Sequence, residues 1–423
     1  MWRKAAAASL VAAPIALAVA TGVDPALGIP EQYGIYRQHP DAVQAHSILL
    51  HWAWVLFVPG LLGLLAPIRQ RGAVLARIAW IAVIVGLATF SALMANDFVL
   101  LALEQTLPDA QVQAVDEKFL AMSVTVAGWQ WPGLIGWGLS LILTPIAAAR
   151  GRVIDWWTAG AALLGMALYL AFAISPVPLC LLGPIVMIGA YGAAAWRLVR
   201  PRPAPAEPEP DTFGAFRRGF GQFALYAAPL SFAIGMATVP DWSGDLADSV
   251  AKPVQTQVSA LFLHFAWILF VPAVLAVAAR ANRFTQVAAG ITVLALINFS
   301  GLMVGDSADL AARQVLDAAT ADRVSETLGG YAAFTFGWAM PGMLLSLLGL
   351  IAVAVGAAVS RVTRWWTAAL VVAGIAAFLG LGLGPIGVTG PLLLLAGFGL
   401  IARDLRRLPA PAAPAATPAP APA

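Results

Sequence analysis

A chain of 423 residues with 61% hydrophobic and 11% charged side chains and a mean hydropathy of +0.84 excludes an ordinary soluble domain, in which about 25% of residues are charged, and reads as a polytopic membrane protein. The single cysteine, Cys180, excludes an intrachain disulfide, a zinc–cysteine site and a cysteine-held iron–sulfur cluster, and says nothing about redox compartment. The net charge of +3 does not point to nucleic acid, because the basic residues sit in short loops beside apolar runs; the partner it implies is the lipid bilayer.

At roughly 20 apolar residues per crossing, the chain predicts spans at about 5–22, 44–68, 74–98, 119–148, 156–174 and 179–198, then at about 218–238, 255–279, 285–305, 327–357, 365–383 and 387–403. Met1-Trp-Arg-Lys, the apolar run after it and Ala18-Val-Ala20 look like a secretory leader with its cleavage site. The later run ending Met236-Ala-Thr-Val239 matches it, however, so the first span is expected to be retained. Between the two sets runs Arg200-Pro-Arg-Pro-Ala-Pro-Ala-Glu-Pro-Glu-Pro210, a proline-rich linker, and the chain closes on a proline- and alanine-rich tail expected to be disordered.

The two sets repeat each other. His51-Trp-Ala-Trp-Val-Leu-Phe-Val-Pro59 returns as His264-Phe-Ala-Trp-Ile-Leu-Phe-Val-Pro272, and Phe90-Ser-Ala-Leu-Met-Ala-Asn-Asp97 as Phe299-Ser-Gly-Leu-Met-Val-Gly-Asp306. Gly128-Trp-Gln-Trp-Pro-Gly133 returns as Gly337-Trp-Ala-Met-Pro-Gly342, and Arg152-Val-Ile-Asp-Trp-Trp-Thr-Ala159 as Arg361-Val-Thr-Arg-Trp-Trp-Thr-Ala368. The expected organisation is therefore all-α, with about twelve transmembrane helices as two parallel six-helix repeats: 1–199, a cytoplasmic linker 200–213, 214–407, and a tail 408–423. Arginines before and between the spans (among them Arg69, Arg77, Arg150, Arg283 and Arg361) fall on one side, which makes that side and both termini cytoplasmic in a plasma (inner) membrane. Arg37, Lys118, Lys252, Arg313 and Arg323 dissent, on the side that carries most of the acids.

Counting helical rise from the cytoplasmic arginines puts His51 about 27 Å, Asp97 about 30 Å and Trp129 about 31 Å away, near the outer boundary of the hydrocarbon. His264, Asp306 and Trp338 share that depth. His51 and Trp54 lie on one helical stripe and Ser91 with Asp97 on another; their equivalents are His264, Trp267, Ser300 and Asp306. Ionisable groups at this depth belong inside the bundle. Pro132 and Pro341, flanked by glycines, each leave a carbonyl four residues back without its partner and mark a kink or hinge. Trp52, Trp129, Trp131 and the pairs Trp156-Trp157 and Trp365-Trp366 read as interfacial anchors, and His39 and His46, which are not duplicated as histidines, as loop or helix-start residues.

The reading that follows is a carrier or permease for a small molecule or ion. His51/Asp97 and His264/Asp306 serve as proton-exchanging pairs, Ser91 and Ser300 as polar lining, Trp54 and Trp267 as gate or stacking groups, and Pro132 and Pro341 as hinges. One alternative is a haem held between His51 and His264, or a divalent metal held by both histidines with Asp97 and Asp306. Others are an outer-leaflet lipid-modifying enzyme using Ser91, His51 and Asp97, which lacks a Gly-x-Ser-x-Gly elbow, and a non-catalytic scaffold.

Overall fold

The computed structural model describes residues 2–29, 33–200, 210–240, 246–382 and 386–408. Most of the expected linker, 201–209, and of the expected tail, 409–423, lie outside the described residues. Every regular element among the described residues is helical. In chain order the main helices are α1 (Trp2–Val23), α2 (Pro40–Leu65), α3 (Ala73–Thr106), α4 (Asp109–Leu120), α5 (Ser123–Arg150), α6 (Trp156–Phe172) and α7 (Leu182–Val199). The sequence-similar partners follow: α8 (Thr212–Ala237), α9 (Pro253–Ala278), α10 (Arg283–Val315), α11 (Ala318–Gly330), α12 (Ala332–Val359), α13 (Trp365–Gly380) and α14 (Thr389–Arg407).

Nine helices among the described residues are long and apolar enough to cross a membrane, which makes the chain a multi-pass integral membrane protein. Three of the twelve expected spans are not among the nine. α6 and α13 are apolar but only 17 and 16 residues long, about 24–26 Å at helical rise. α14 ends in Arg403, Asp404, Arg406 and Arg407. The flanks of the bundle carry exposed apolar side chains at helical spacing, such as Val74, Ile78 and Ile81 on α3 and Ile135, Leu139 and Ile142 on α5. In water such stripes would be a liability; against acyl chains they are the solvated face.

The basic residues gather at one end of the bundle, where Arg3 reaches the Leu198 carbonyl, Arg77 the Thr212 carbonyl, and Arg197 pairs with Asp155. The opposite, acidic end is thicker than the sequence reading allows. α3 and α10 run 34 and 33 residues, about 50 Å against a hydrocarbon core of about 30 Å. The stretches expected to be loops after 98 and 305 are instead helical. Ala95–Thr106 packs on α11, and Val304–Val315 on α4, so the two halves of the chain cross-cover each other. This layer has its own apolar core of Phe98, Leu101, Val112 and Val115 with Leu310, Ala311, Ala321 and Val324. Two dissenting arginines are neutralised there: Arg37 pairs with Asp109, and Arg313 with Asp309 and Asp322 at 2.7 and 2.9 Å.

Similar sequences give matched elements. α2 and α9 are each 26 residues long. Arg152 and Arg361, at the same register, both adopt left-handed backbone, φ 56° and 58°. α5 and α12 each open with one short helical turn followed by a π-helical turn, Val126–Gln130 and Thr335–Ala339. The expected proline breaks lie just past these turns. A proline lacks the N–H and crowds the carbonyl four residues back, and the wider π turn accommodates both without breaking the helix.

Candidate functional site

Pro132 orphans the Gly128 carbonyl and Pro341 that of Gly337. The latter accepts a hydrogen bond from the indole N–H of Trp52 in α2, at 3.0 Å. Both glycines also let the other half of the chain come close. A Cβ on Gly337 would meet Ile48 at 3.2 Å, and one on Gly128 would meet Leu261 at 2.4 Å. Ile48 and Leu261 occupy the same register of α2 and α9, so each π turn receives a helix from the opposite half.

The two repeated histidines sit in this seam, both fully buried. His51 donates from Nδ1–H to the Ser91 carbonyl at 3.1 Å, and its Nε2 lies 2.7 Å from the Asn298 carboxamide oxygen. The ring stacks on Trp338, 3.4 Å between centroids at 16°. His264 donates from Nδ1–H to the Ser300 carbonyl at 3.1 Å, its Nε2 lies 3.0 Å from the Thr89 hydroxyl, and it stacks on Trp129 at 3.9 Å. Thr89 and Asn298 share one register, each before the Phe-Ser of its motif. The Trp129 indole donates to the Thr89 carbonyl at 3.3 Å, and that of Trp338 to the Asn298 carbonyl at 2.9 Å. Each half thus offers a Trp face and an amphoteric side chain to the other half's imidazole.

The carbonyl at Nδ1 can only accept, so Nδ1 carries a proton and Nε2 decides the charge. A neutral ring needs a donor there, which Asn298 supplies by turning its NH2 to the ring and Thr89 only by swinging its hydroxyl hydrogen to the ring from the Val85 carbonyl, to which it donates at 2.5 Å. An imidazolium needs an acceptor, which the same two side chains also supply.

Several expected assignments change. No ion pair joins His51 to Asp97 or His264 to Asp306; Asp97 lies instead 3.8 Å from His46, whose Nε2 is also 3.9 Å from Asp24. His46 is a buried side chain that donates from Nδ1–H to the Ala20 carbonyl at 2.8 Å. The Ser91 and Ser300 hydroxyls bond back to Ala88 and Ile297, so these serines contribute carbonyl oxygens, and His51 meets no serine nucleophile. Trp129 and Trp338 are 1% and 0% exposed and belong to the seam rather than to an interfacial belt, whereas Trp131, Trp156, Trp157 and Trp365 are exposed as anchors should be.

Both histidines have each nitrogen against a protein oxygen and a ring face against tryptophan, which leaves no open position for a haem iron between them. No group of three or more His, Cys, Asp or Glu among the described residues is arranged to hold a metal. His51, His264, Asp97 and Asp306 therefore do not fit either cofactor alternative as the described residues arrange them.

Beneath the acidic end, Trp54 packs on Phe57, Phe90, Trp137 and Tyr169, and Trp267 on Phe232, Phe270, Phe299 and Phe378. Neither indole N–H has a hydrogen-bond partner among the described residues. Asp306, the counterpart of Asp97, lines a cavity of about 320 Å³ together with Trp267, Phe299 and Met303. Comparison with protein-family models, curated proteins and solved structures gives no match to this chain.

Proposed function

We propose that the chain is a carrier or permease of the plasma membrane, built as twelve spans in two parallel six-helix repeats with both termini and the basic end in the cytoplasm, and driven by protons. The observation that carries this reading is the reciprocal seam, in which His51 and His264 each reach across to a Trp and to a side chain able to accept or donate. A carrier needs two arrangements of its halves and a group whose protonation favours one of them. At this seam, changing the charge of an imidazole forces Asn298 or Thr89 to reverse its hydrogen-bonding role, which couples proton binding to contacts between the halves.

In this account Ser91 and Ser300 anchor the rings through their carbonyls, and the π turns before Pro132 and Pro341 are the flexing points. Asp97, with His46 and Asp24, takes up protons at the outer end. Asp306 serves the substrate side, and Trp54 and Trp267 form the apolar floors beneath the two acids.

Spin labels at Arg150→Cys and Val359→Cys, in a Cys180→Ser background in liposomes, test the motion. Both positions are exposed and share one register at the basic end. Two separations whose ratio shifts between acidic and neutral buffer, as an imidazole gains or loses its charge, are expected. The His51→Gln, His264→Gln double variant should lose the shift. One unchanging separation at every pH would end the carrier reading.

A further inference from the structure

The cavity beside Asp306 is bounded by the end of α8, the short helix Leu246–Ala251, α9, α10 and Phe378 of α13. It runs from the acidic layer down to an aromatic floor of Phe232, Trp267, Phe299 and Phe378, where neighbouring rings lie 4.4–4.9 Å apart. Its 320 Å³ falls at the small end of the about 300–1,000 Å³ typical of ligand pockets.

Two substitutions between the matched halves open this space. Register places Ser249 where the N-terminal half has Tyr36, and Ser259 where it has His46; both serines line the cavity. Ser259 donates to the Gly235 carbonyl at 2.8 Å, as His46 does to that of Ala20, so the anchor is kept while the ring is gone.

The polar inventory is narrow. The Thr256 hydroxyl bonds to the carbonyls of Ser249 and Lys252, and that of Ser259 to Gly235. Arg313 is held between Asp309 and Asp322. Asp306 is exposed to the cavity, and its carboxylate has no hydrogen bond or ion pair among the described residues. With Asp309 and Asp322 outnumbering Arg313, the surroundings repel anions. One unpaired carboxylate above aromatic faces, the second lining acid, Asp309, being held by Arg313, is too few ligands for a metal ion, and suits a compact cation with an apolar body, held by charge and by cation–π contact.

We infer that this cavity binds a small apolar organic cation, an amine or quaternary ammonium compound, with its charge at Asp306 and its body on the aromatic floor. As a statement of substrate class it rests on the carrier reading; as a binding site it does not.

The test measures binding of (phenylbutyl)trimethylammonium to the purified full-length protein by equilibrium dialysis, beside its neutral carbon isostere with tert-butyl in place of trimethylammonium. The cation should bind at least about tenfold tighter than the isostere. Asp306→Asn should weaken the cation at least about tenfold and the isostere less than about twofold. Ser249→Tyr with Ser259→His, which puts back the two rings of the N-terminal half, should weaken both probes, and serves where the Asp306 variant does not fold. Equal affinity for cation and isostere, or undiminished binding in the ring-restored variant, overturns the site. If the cation binds as expected but does not cross liposome membranes, the carrier reading falls and the site stands. If the binding pattern is absent while the spin labels still report two arrangements, the site falls and the carrier reading stands.

Discussion

In the N-terminal half, Asp97 lies beside His46 and Ser47, with Asp24 near the same imidazole nitrogen, Nε2. Tyr36 also stands close, its phenol pushed above the usual range by burial and by the carboxylates of Asp97 and Asp24. In the C-terminal half the matching acid, Asp306, faces open space, because serines stand where the tyrosine and histidine are. The seam beneath is nearly the same in both. Two matched halves can thus share one scaffold while one acid is held in an internal network and the other is left free for a ligand. The difference amounts to three side-chain changes on one helix and the short turn before it, Tyr36 to Ser249, His46 to Ser259 and Ser47 to Ala260, with the backbone anchor at Ala20 or Gly235 preserved.

The seam is where the comparison should break most violently. Trp338→Ala removes a fully buried indole that stacks on His51, packs against Phe98 and Phe334, and donates to Asn298. The expected cost is about 3–5 kcal/mol, the range for truncating a buried aromatic. Trp129→Ala should cost less, since its stack is wider (3.9 against 3.4 Å) and its hydrogen bond longer (3.3 against 2.9 Å). Denaturant unfolding of the purified protein followed by circular dichroism measures both. Equal losses would mean that the two sides of the seam carry equal load despite their geometry.

A smaller effect sharpens the contrast at the acidic end. His46→Ser makes the N-terminal half resemble its partner and leaves Asp97 and Asp24 without the group between them. The expected destabilisation is about 1–3 kcal/mol, the range for leaving a buried polar group unsatisfied. Asp97→Asn in the same background should recover part of it, because a neutral carboxamide needs no counter-charge. No recovery would show that His46 acts by filling space rather than by its contact with the acids.

Most of the helical order was legible in the sequence, because an apolar run long enough to span a bilayer has few other fates. The acidic-end layer was missed at 99–106 and 306–315 because the span criterion stops where polar residues begin. The apolar spacing of Phe98, Leu101 and Ala102 nevertheless continues the helix, and its partners lie in the other half. The seam was legible by halves. Duplication singled out His51, His264, Ser91 and Ser300, whose contacts with each other stay within one half, but the histidines' other contacts, to Asn298 and Thr89, run across the repeats, and no periodicity within one helix reveals a partner 247 or 175 residues away. Thr89 and Asn298 carried a usable signal, a polar residue at matched register one place before each Phe-Ser. His46 carried none, since its role depends on Asp24 arriving from just past the end of α1 and Asp97 from α3.

The smallest expected effect lies at the basic end, where the halves differ by a helix cap. Asp155 caps α6 by accepting from the Thr158 backbone N–H at 2.6 Å, and Arg197 pairs with it. Hydrogen bonds from Thr158, with Arg197 adding to them, hold its carboxyl below the usual carboxylate range. At the same register α13 has Arg364, which provides no cap, and the buried hydroxyl of Thr367, the counterpart of Thr158, has no partner among the described residues. Arg364→Asp should therefore stabilise the protein by about 1 kcal/mol near neutral pH, and Asp155→Ala should cost about as much. A carboxyl lowered in the folded state stabilises above its unfolded pKa of about 3.9 and loses that contribution as pH falls through the lower folded value. Both differences should then hold from neutral pH down to about pH 5 and fade in more acidic buffer. A difference that persists at about pH 2 would assign the effect to packing at the corner rather than to the ionised cap.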